Sequence, residues 1–216
     1  MALNNPLHHK KILITCGPTW APIDSVRVIS NISTGQIGHL IARECLKQKA
    51  QVTLLEGPIR QNFPLKKIKL LKFSYYNELL SLLKKELKKG YHIVIHAAAV
   101  SDYQLRKVFA VKINSKGKKL KLNLIPTQKM INLIKRIDPG VFLVGFKLES
   151  KLSRQLAIHK TRGLFNQAKC DLAFINTLKN KAYKGFIINK DGSILARGQS
   201  RQNIAKQLVK NISDKI

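Results

Sequence analysis

The sequence predicts an α/β protein: a Rossmann-like, doubly wound, mostly parallel sheet with a β-hairpin or flap excursion. Three observations predict it. Short apolar runs that stop at glycine and proline recur at Lys11–Thr15, Val52–Leu55 and His92–Ala99. Between them lie segments whose apolar residues fall three and four apart, so strand and crossover helix alternate. After Ala99 that rhythm gives way to two runs flanking a turn-rich stretch, which places an excursion inside the sheet.

Taken in order, Lys11-Ile-Leu-Ile-Thr15 ends at Gly17-Pro18 and reads as a buried strand opening into a loop. A helix follows over 35–49, with Ile37, Leu40, Ile41 and Cys45 on one face. Val52–Leu55 is closed by Gly57-Pro58, and Lys67–Phe73 offers a third strand. Tyr76, Leu79, Leu80, Leu83 and Leu87 mark an amphipathic helix ended by Gly90, before the apolar fourth strand His92–Ala99. Val108–Ile113 and Leu120–Ile125 flank Asn114-Ser-Lys-Gly117 as a hairpin or long flap. Thr127 can cap a short helix carrying Met130, Ile131 and Ile134, and Asp138-Pro-Gly140 turns into the strand Val141–Val144. A helix over Leu152–Gln167 precedes the strand Leu172–Ile175. Phe186–Ile188 and Ser193–Ala196 then form a hairpin across Asp191-Gly192. Ser200 opens the last helix, with Ile204, Leu208, Val209 and Ile212 on one face. With neither repeat nor linker, residues 1–216 read as one domain, with 1–10 an N-terminal extension and 106–125 the flap.

Composition narrows the function. The 216 residues are 44% hydrophobic, enough for a globular core. No apolar run approaches the ~20 residues of a membrane span, and the first ten residues lack a secretory h-region. Cys16, Cys45 and Cys170 lie far apart, without paired or metal-type spacing. They read as reduced core thiols of a cytoplasmic protein. The 40 basic residues against 11 acidic ones, net +29, attract polyanions. The basic residues are spread along the chain without interleaved aromatics, and no zinc-finger, RNP or KH pattern accompanies them. A lysine-rich solvated surface therefore ranks above a nucleic-acid-binding module, and small phosphorylated substrates gain from the same field.

Ser33-Thr-Gly35-Gln-Ile-Gly38 approaches the dinucleotide fingerprint, and Glu56 stands where a ribose-binding acid would. An NAD(P)-dependent reductase is the rival this suggests. Against it, Ser33 replaces the first glycine and a long loop, Cys16–Thr34, separates the strand from the helix, whereas pyrophosphate binding needs a tight turn. Anion binding by the helix start and close packing by the two glycines both remain open on spacing alone.

The loop itself is more specific. Gly17-Pro-Thr-Trp-Ala-Pro22-Ile-Asp24-Ser-Val-Arg27-Val-Ile-Ser30-Asn31-Ile-Ser33-Thr-Gly35-Gln-Ile-Gly38 resembles the signature of phosphopantothenate–cysteine ligases, and every fixed position of that signature is present. Ala97-Ala-Ala-Val-Ser-Asp102, Lys112-Ile113, Val144-Gly-Phe146-Lys-Leu-Glu149 and Asp171–Asn176 follow in family order, so the resemblance runs from Lys11 to the last helix. It implies joining of 4′-phosphopantothenate and L-cysteine through an acyl-nucleotide anhydride, with CTP in bacteria or ATP in eukaryotes, and Mg2+. It also implies a homodimer and the synthetase half of what is often a fusion with a flavin-dependent decarboxylase. Nothing ahead of Lys11 can hold a flavin domain, so the expectation is a stand-alone synthetase without flavin, with a separate decarboxylase as a possible partner.

Carried over residue by residue, the resemblance makes Asn31 the catalytic amide, able to donate to the acyl oxygen. Arg27 is a fork for a carboxylate or phosphate, or else a salt bridge to Asp24, which shapes the turn. Gly35 and Gly38 bind substrate, and Gly17, Ala98, Asp102, Thr127, Met130 and Phe146 contact nucleotide, with Asp102 a candidate for metal. Lys112 corresponds to the first lysine of a K-x-K-K flap segment and would steady phosphates during transfer. Departures are visible: Lys112-Ile-Asn114-Ser115 lacks the last two lysines, although Lys116, Lys118 and Lys119 are near. Thr127-Gln-Lys129-Met130 stands for the family's T-P-D-I, whose helix-start amides would bind phosphate. Leu164 and Ala168 occupy lysine positions, for which Lys160, Arg162 or Lys169 can substitute. These departures motivate a third rival beside the reductase and the nucleic-acid-binding module, a synthetase that has lost activity. His96 is read as structural.

Overall fold

In a computed structural model, residues 5–115, 117, 119–179 and 182–216 are described. The elements run β1 (Lys11–Cys16), β2 (Trp20–Pro22), β3 (Val28–Ser30), α1 (Gln36–Lys47), β4 (Gln51–Glu56), β5 (Lys69–Lys72), α2 (Tyr76–Leu87) and β6 (Ile93–His96). They continue with β7 (Tyr103–Leu105), β8 (Leu124–Pro126), α3 (Ile131–Ile137), β9 (Phe142–Leu148) and α4 (Arg154–Asn166). Last come β10 (Leu172–Lys179), β11 (Ala182–Asn189), β12 (Ile194–Gly198) and α5 (Arg201–Ser213).

β1 is apolar along its length because it is central. Residues 12–16 are all buried, with parallel neighbours β4 and β6 on either side. The eight-stranded sheet runs β12-β11-β10-β9-β6-β1-β4-β5. From β5 to β10 it is parallel, and β11 and β12 add antiparallel strands at one border. The chain winds outward from β1 through β4 and β5, then returns to β6 on the other side. The order therefore reverses between β1 and β6, and such a reversal leaves a crevice beyond the carboxyl ends of those strands.

Alternate residues feed two layers. Ile12, Ile14, Val52, Ile93, Ile95 and Phe174 pack under α1 and α5 with Ile41, Leu208 and Ile212. Leu13, Leu55, Val94 and Leu143 pack the other way, under α2 and α3 with Leu79, Leu83 and Ile134. Each such fully buried aliphatic side chain contributes roughly 1.5–3 kcal/mol. α1 and α2 begin and end within two residues of the sequence expectation, and Ser200 caps α5 by accepting from the Asn203 amide at 3.1 Å. The three cysteines are buried free thiols.

Four expectations change. The long loop 16–34 contains a hairpin, β2 paired with β3. The excursion's paired strands are β7 and β8, not Val108–Ile113 and Leu120–Ile125, because Val108 and Val111 are exposed and the stretch docks on the β2–β3 hairpin instead. Thr127 does not cap α3; its hydroxyl donates to Ser101 O at 2.6 Å, and Met130 holds the cap position. The stretch before β1 joins the fold: Leu7 is fully buried in the core, and the His9 amide donates to Lys49 O at 3.2 Å. Among the described residues no helix is long and apolar enough to cross a membrane.

Candidate functional site

The crevice between β1 and β6 is built by main-chain contact. Gly17, at φ 77°, leaves β1 so close to Gly57 that a Cβ would lie 3.0 Å from the Gly57 nitrogen. A Cβ on Gly57 would lie 2.1 Å from Pro18 O, so the turns after β1 and β4 touch backbone to backbone. Beyond β6 the alanines run alongside. The amides of Ala97, Ala98 and Ala99 donate to Thr15 O, Thr15 Oγ1 and Gly17 O at 3.1, 3.1 and 2.8 Å. Thr19 returns a bond to Ala99 O at 3.3 Å and accepts from the Ser101 amide at 2.9 Å. His96 lies behind this seam, its Nδ1 3.0 Å from Thr15 Oγ1, and burial lowers its pKa to about 4. It is a neutral structural histidine, as the sequence suggested.

Asn31 overhangs the seam. Its Nδ2 donates to Ala99 O at 3.1 Å and Val100 O at 3.2 Å, which fixes the exposed side chain over the alanine run. Gly35, at φ 68°, is the N-cap of α1, and a Cβ there would lie 3.4 Å from the Gly17 nitrogen. Gly17, Asn31, Gly35 and Ala98 thus meet at one place. Asp102 lies at its rim, exposed, with its carboxylate on Lys129 and its carbonyl accepting from the Thr127 amide at 2.9 Å.

Other residues are placed differently. Gly38 faces the sheet: a Cβ would come within 2.3 Å of Cys16 Cβ, so close packing of α1 on β1 is what it supplies. Met130 is 1% exposed within the core under α2 and α3, so its side chain is not a nucleotide contact. The amides of Asn132 and Leu133 are engaged by Lys129 O and Met130 O at 3.2 and 2.9 Å, so they are not free for phosphate. Phe146 is half-buried, stacked on Phe174 with ring centroids 4.5 Å apart. Leu164 is half-buried and Ala168 buried in the layer under α2 and α3, while Lys160, Arg162 and Lys169 are exposed.

Arg27 makes the salt bridge that was its alternative reading. Its Nη1 is 2.7 Å from Asp24 Oδ2 and also donates to Ile113 O at 3.2 Å. Asp24, its side chain fully buried, accepts from the Ile113, Val26 and Arg27 amides at 3.0, 2.9 and 2.8 Å. Chiefly the Ile113 amide, with those of Val26 and Arg27 and the guanidinium, outweighs burial and holds its pKa down at about 2. The Phe109 amide adds a bond to Ile23 O at 3.0 Å. The hairpin therefore docks the flap next to Lys112, which is exposed. Lys119 is also exposed, and Lys116 and Lys118 lie outside the described residues.

Sequence reasoning missed Thr15, Thr19 and Ser101 as the polar stitches of the crevice. Their signal is weak, because small hydroxyl residues suit many positions. Glu56, at the end of β4, does not face a ribose site, in keeping with the rejection of the dinucleotide reading: its Oε2 lies 2.7 Å from His39 Nε2, and both residues are buried.

A crevice at the reversal of a doubly wound sheet, lined by glycine turns, a helix start and small residues, defines an α/β protein whose ligand crevice lies beyond its strand ends. The chain belongs to the family described as DNA/pantothenate metabolism flavoprotein, C-terminal domain, which matches residues 7–216. Coenzyme A biosynthesis bifunctional protein CoaBC of Thermococcus kodakarensis is 40% identical over 174 residues, 80% of this chain and 42% of the relative. Its counterpart in Borreliella burgdorferi is 32% identical over 218 residues, 94% of this chain and 52% of the relative. The chain thus spans about half the length of these curated relatives. The DNA/pantothenate metabolism flavoprotein of Streptococcus pneumoniae shares the fold at TM-score 0.85 and 25% identity, covering 96% of this chain and 100% of that one. The C-terminal domain of a CoaBC protein aligns at TM-score 0.76 and 25% identity over 98% and 97%.

Proposed function

We propose that this chain is a phosphopantothenate–cysteine ligase, joining 4′-phosphopantothenate to L-cysteine at the expense of CTP, as one domain acting in the cytoplasm. The observation that carries the reading is Asn31. The signature's amide is held by Ala99 and Val100 over the very seam where the sheet order reverses. The names of the relatives, coenzyme A biosynthesis proteins, support it.

In the reaction the pantothenate carboxylate attacks the α-phosphorus of CTP, and pyrophosphate leaves. The cysteine amine then attacks the acyl carbon of the acyl-cytidylate, sheds a proton and expels CMP. Neither step needs a protein nucleophile; positioning and charge neutralisation suffice. Gly17, Gly35 and Ala98 allow close backbone approach to the anions. Both N–H groups of Asn31 are engaged in the free protein, so donation to the acyl oxygen exchanges one of these bonds for substrate. Lys112, carried by the docked flap, neutralises the phosphates, and Thr127 and Phe146 line the nucleotide side. Arg27 reaches substrate only if it shares its guanidinium with Asp24.

Mg2+ fits one exposed carboxylate, that of Asp102, because this ion is bound through few protein oxygens together with substrate phosphates. Asp102 would hold it after releasing Lys129, and the ion would withdraw charge from the triphosphate. A homodimer is proposed through the exposed apolar residues Val26, Ile32, Val108 and Val111, with a separate decarboxylase as the supplier of flavin chemistry. Neither a membrane nor nucleic acid is a proposed partner.

The test is pyrophosphate release with 4′-phosphopantothenate, cysteine and either CTP or ATP. Release that stops when the acid is omitted, and is faster with CTP, is expected. Tight NAD(P) binding without release would reject the ligase in favour of a reductase. Asn31→Ala should lower turnover by on the order of 10²–10³ while leaving the melting temperature unchanged; normal turnover removes Asn31 from the mechanism.

A further inference from the structure

Beneath the glycine turns lies a cluster that the ligase chemistry does not use. Cys16 Sγ at the end of β1, a ring nitrogen of His39 early in α1 and a carboxylate oxygen of Glu56 at the end of β4 lie within 4.8 Å of one another. Their exposures are 0%, 3% and 8%, which buries three polar groups with only the Glu56 carboxylate near solvent. They satisfy each other only in part. His39 Nε2 and Glu56 Oε2 pair at 2.7 Å, whereas His39 Nδ1 has no hydrogen-bond partner among the described residues. A buried polar ring left in that state is costly, and its environment is otherwise apolar: the Phe63 ring lies 4.8 Å from the imidazole.

We propose that Cys16, His39 and Glu56 are the three protein ligands of a divalent-cation site, with Zn2+ as the ion its donors suit. One sulfur, one nitrogen and one carboxylate oxygen form a borderline set that Zn2+ accepts, whereas Mg2+ and Ca2+ take oxygen ligands. On binding, the Cys16 thiol gives its proton to solvent, and bonds to sulfur, nitrogen and oxygen replace water ligands of the ion, with one retained water as the fourth ligand. Thiolate and carboxylate together cancel the two positive charges. The ion would tie β1, α1 and β4 together directly below Gly17, Gly35 and Gly57. This site stands whether or not the ligase reading does, because it is assigned from its own three ligands.

The experiment uses the full chain, stripped with chelator and titrated with Zn2+ and with Co2+. One equivalent per chain is expected, and the Co2+ form should show a near-ultraviolet thiolate-to-cobalt charge-transfer band with strong visible bands of a tetrahedral ion. Cys16→Ser should remove the near-ultraviolet band. Cys16→Ser, His39→Phe and Glu56→Gln should each weaken Zn2+ binding at least ~10-fold. Cys45→Ser, at another buried thiol, should change nothing. His8 and His9, whose exposed rings are 3.8 Å apart, are the competing surface site, so the doubly substituted His8→Ala, His9→Ala chain must still bind. Lack of the thiolate band in the unaltered protein overturns the proposal even if Cys16→Ser fails to fold. Loss of binding on removing His8 and His9 overturns it equally.

Discussion

In the sheet, β1 and β6 bond along matched registers and bury Ile12, Ile14, Ile93 and Ile95, so the stabilising work is shared among many equivalent residues. Over its carboxyl edge, the β2–β3 hairpin and the flap are held by a few bonds each, in which one side chain carries a large share: Asp24 for the flap, Thr19 for the alanine run, Asn31 for the rim. The difference teaches where substitutions act. A lost methyl in the sheet is diluted among neighbours, whereas a lost carboxylate in the hairpin releases a whole segment.

Gly57→Ala breaks the comparison at the join of the two regions. Its Cβ meets Pro18 O at 2.1 Å, backbone against backbone, with no flexible atom to yield. The expected loss is roughly 3 kcal/mol or more by denaturant unfolding, the upper range for overpacking; a change near zero would mean the two turns separate freely.

Asp24→Asn sharpens it from the hairpin side. With one acceptor oxygen replaced by a donor amide, the Ile113 and Arg27 bonds cannot all persist. Trypsin should cut the flap several-fold faster, and turnover should fall roughly 10- to 100-fold through misplacement of Lys112, with the sheet's melting temperature little changed. Acid should mimic the substitution. The Asp24 pKa is depressed, so its docking contribution is present above the ordinary carboxylate value and disappears as pH falls through about 2.

His96 tests the seam by titration. Burial lowers its pKa from 6.5 to about 4, so between those values the unfolded chain binds more protons than the folded one. The stability His96 allows is complete above 6.5 and declines as pH falls toward 4. The melting temperature of His96→Gln should vary less over that window than that of the unaltered protein; parallel curves would deny the buried neutral ring.

Lys129→Ala should do least. The pair with Asp102 is about 60% exposed on both sides, and such pairs contribute less than about 1 kcal/mol. Stability should therefore hold. If Asp102 meets a metal-bound triphosphate, removing its present partner should lower the Mg2+ concentration needed for half-maximal rate.

Much of the sheet was legible because its strands are buried on both faces and read as unbroken apolar runs. The overhanging parts were not. β2 and β3 are three residues each, and their content, Trp-Ala-Pro and Val-Ile-Ser, carries no period that separates strand from loop. The flap misled for a physical reason: its valines look like strand residues but are exposed, and the stretch is tied to the hairpin through the Phe109 and Ile113 amides rather than paired with a second strand. In the fold, Gly17, Asn31 and Gly35 of the signature lie at one crevice while Gly38 packs α1 on β1, and Met130 shows that position in a motif does not reveal which way a side chain turns. His39 was hidden among the apolar residues of α1, where a polar ring on the buried face was the available clue.

The two borders of the sheet, β5 and β12, bear on how the protein behaves when crowded. Among the described residues each leaves a row of main-chain donors and acceptors without a strand beyond it, the template from which fibrils grow. β5 displays Lys72 there, and β12 displays Arg197. A second molecule sliding up to either border meets charge of its own sign, so the surplus of cations guards against stacking into filaments. That guard is electrostatic and therefore weakens as ionic strength rises.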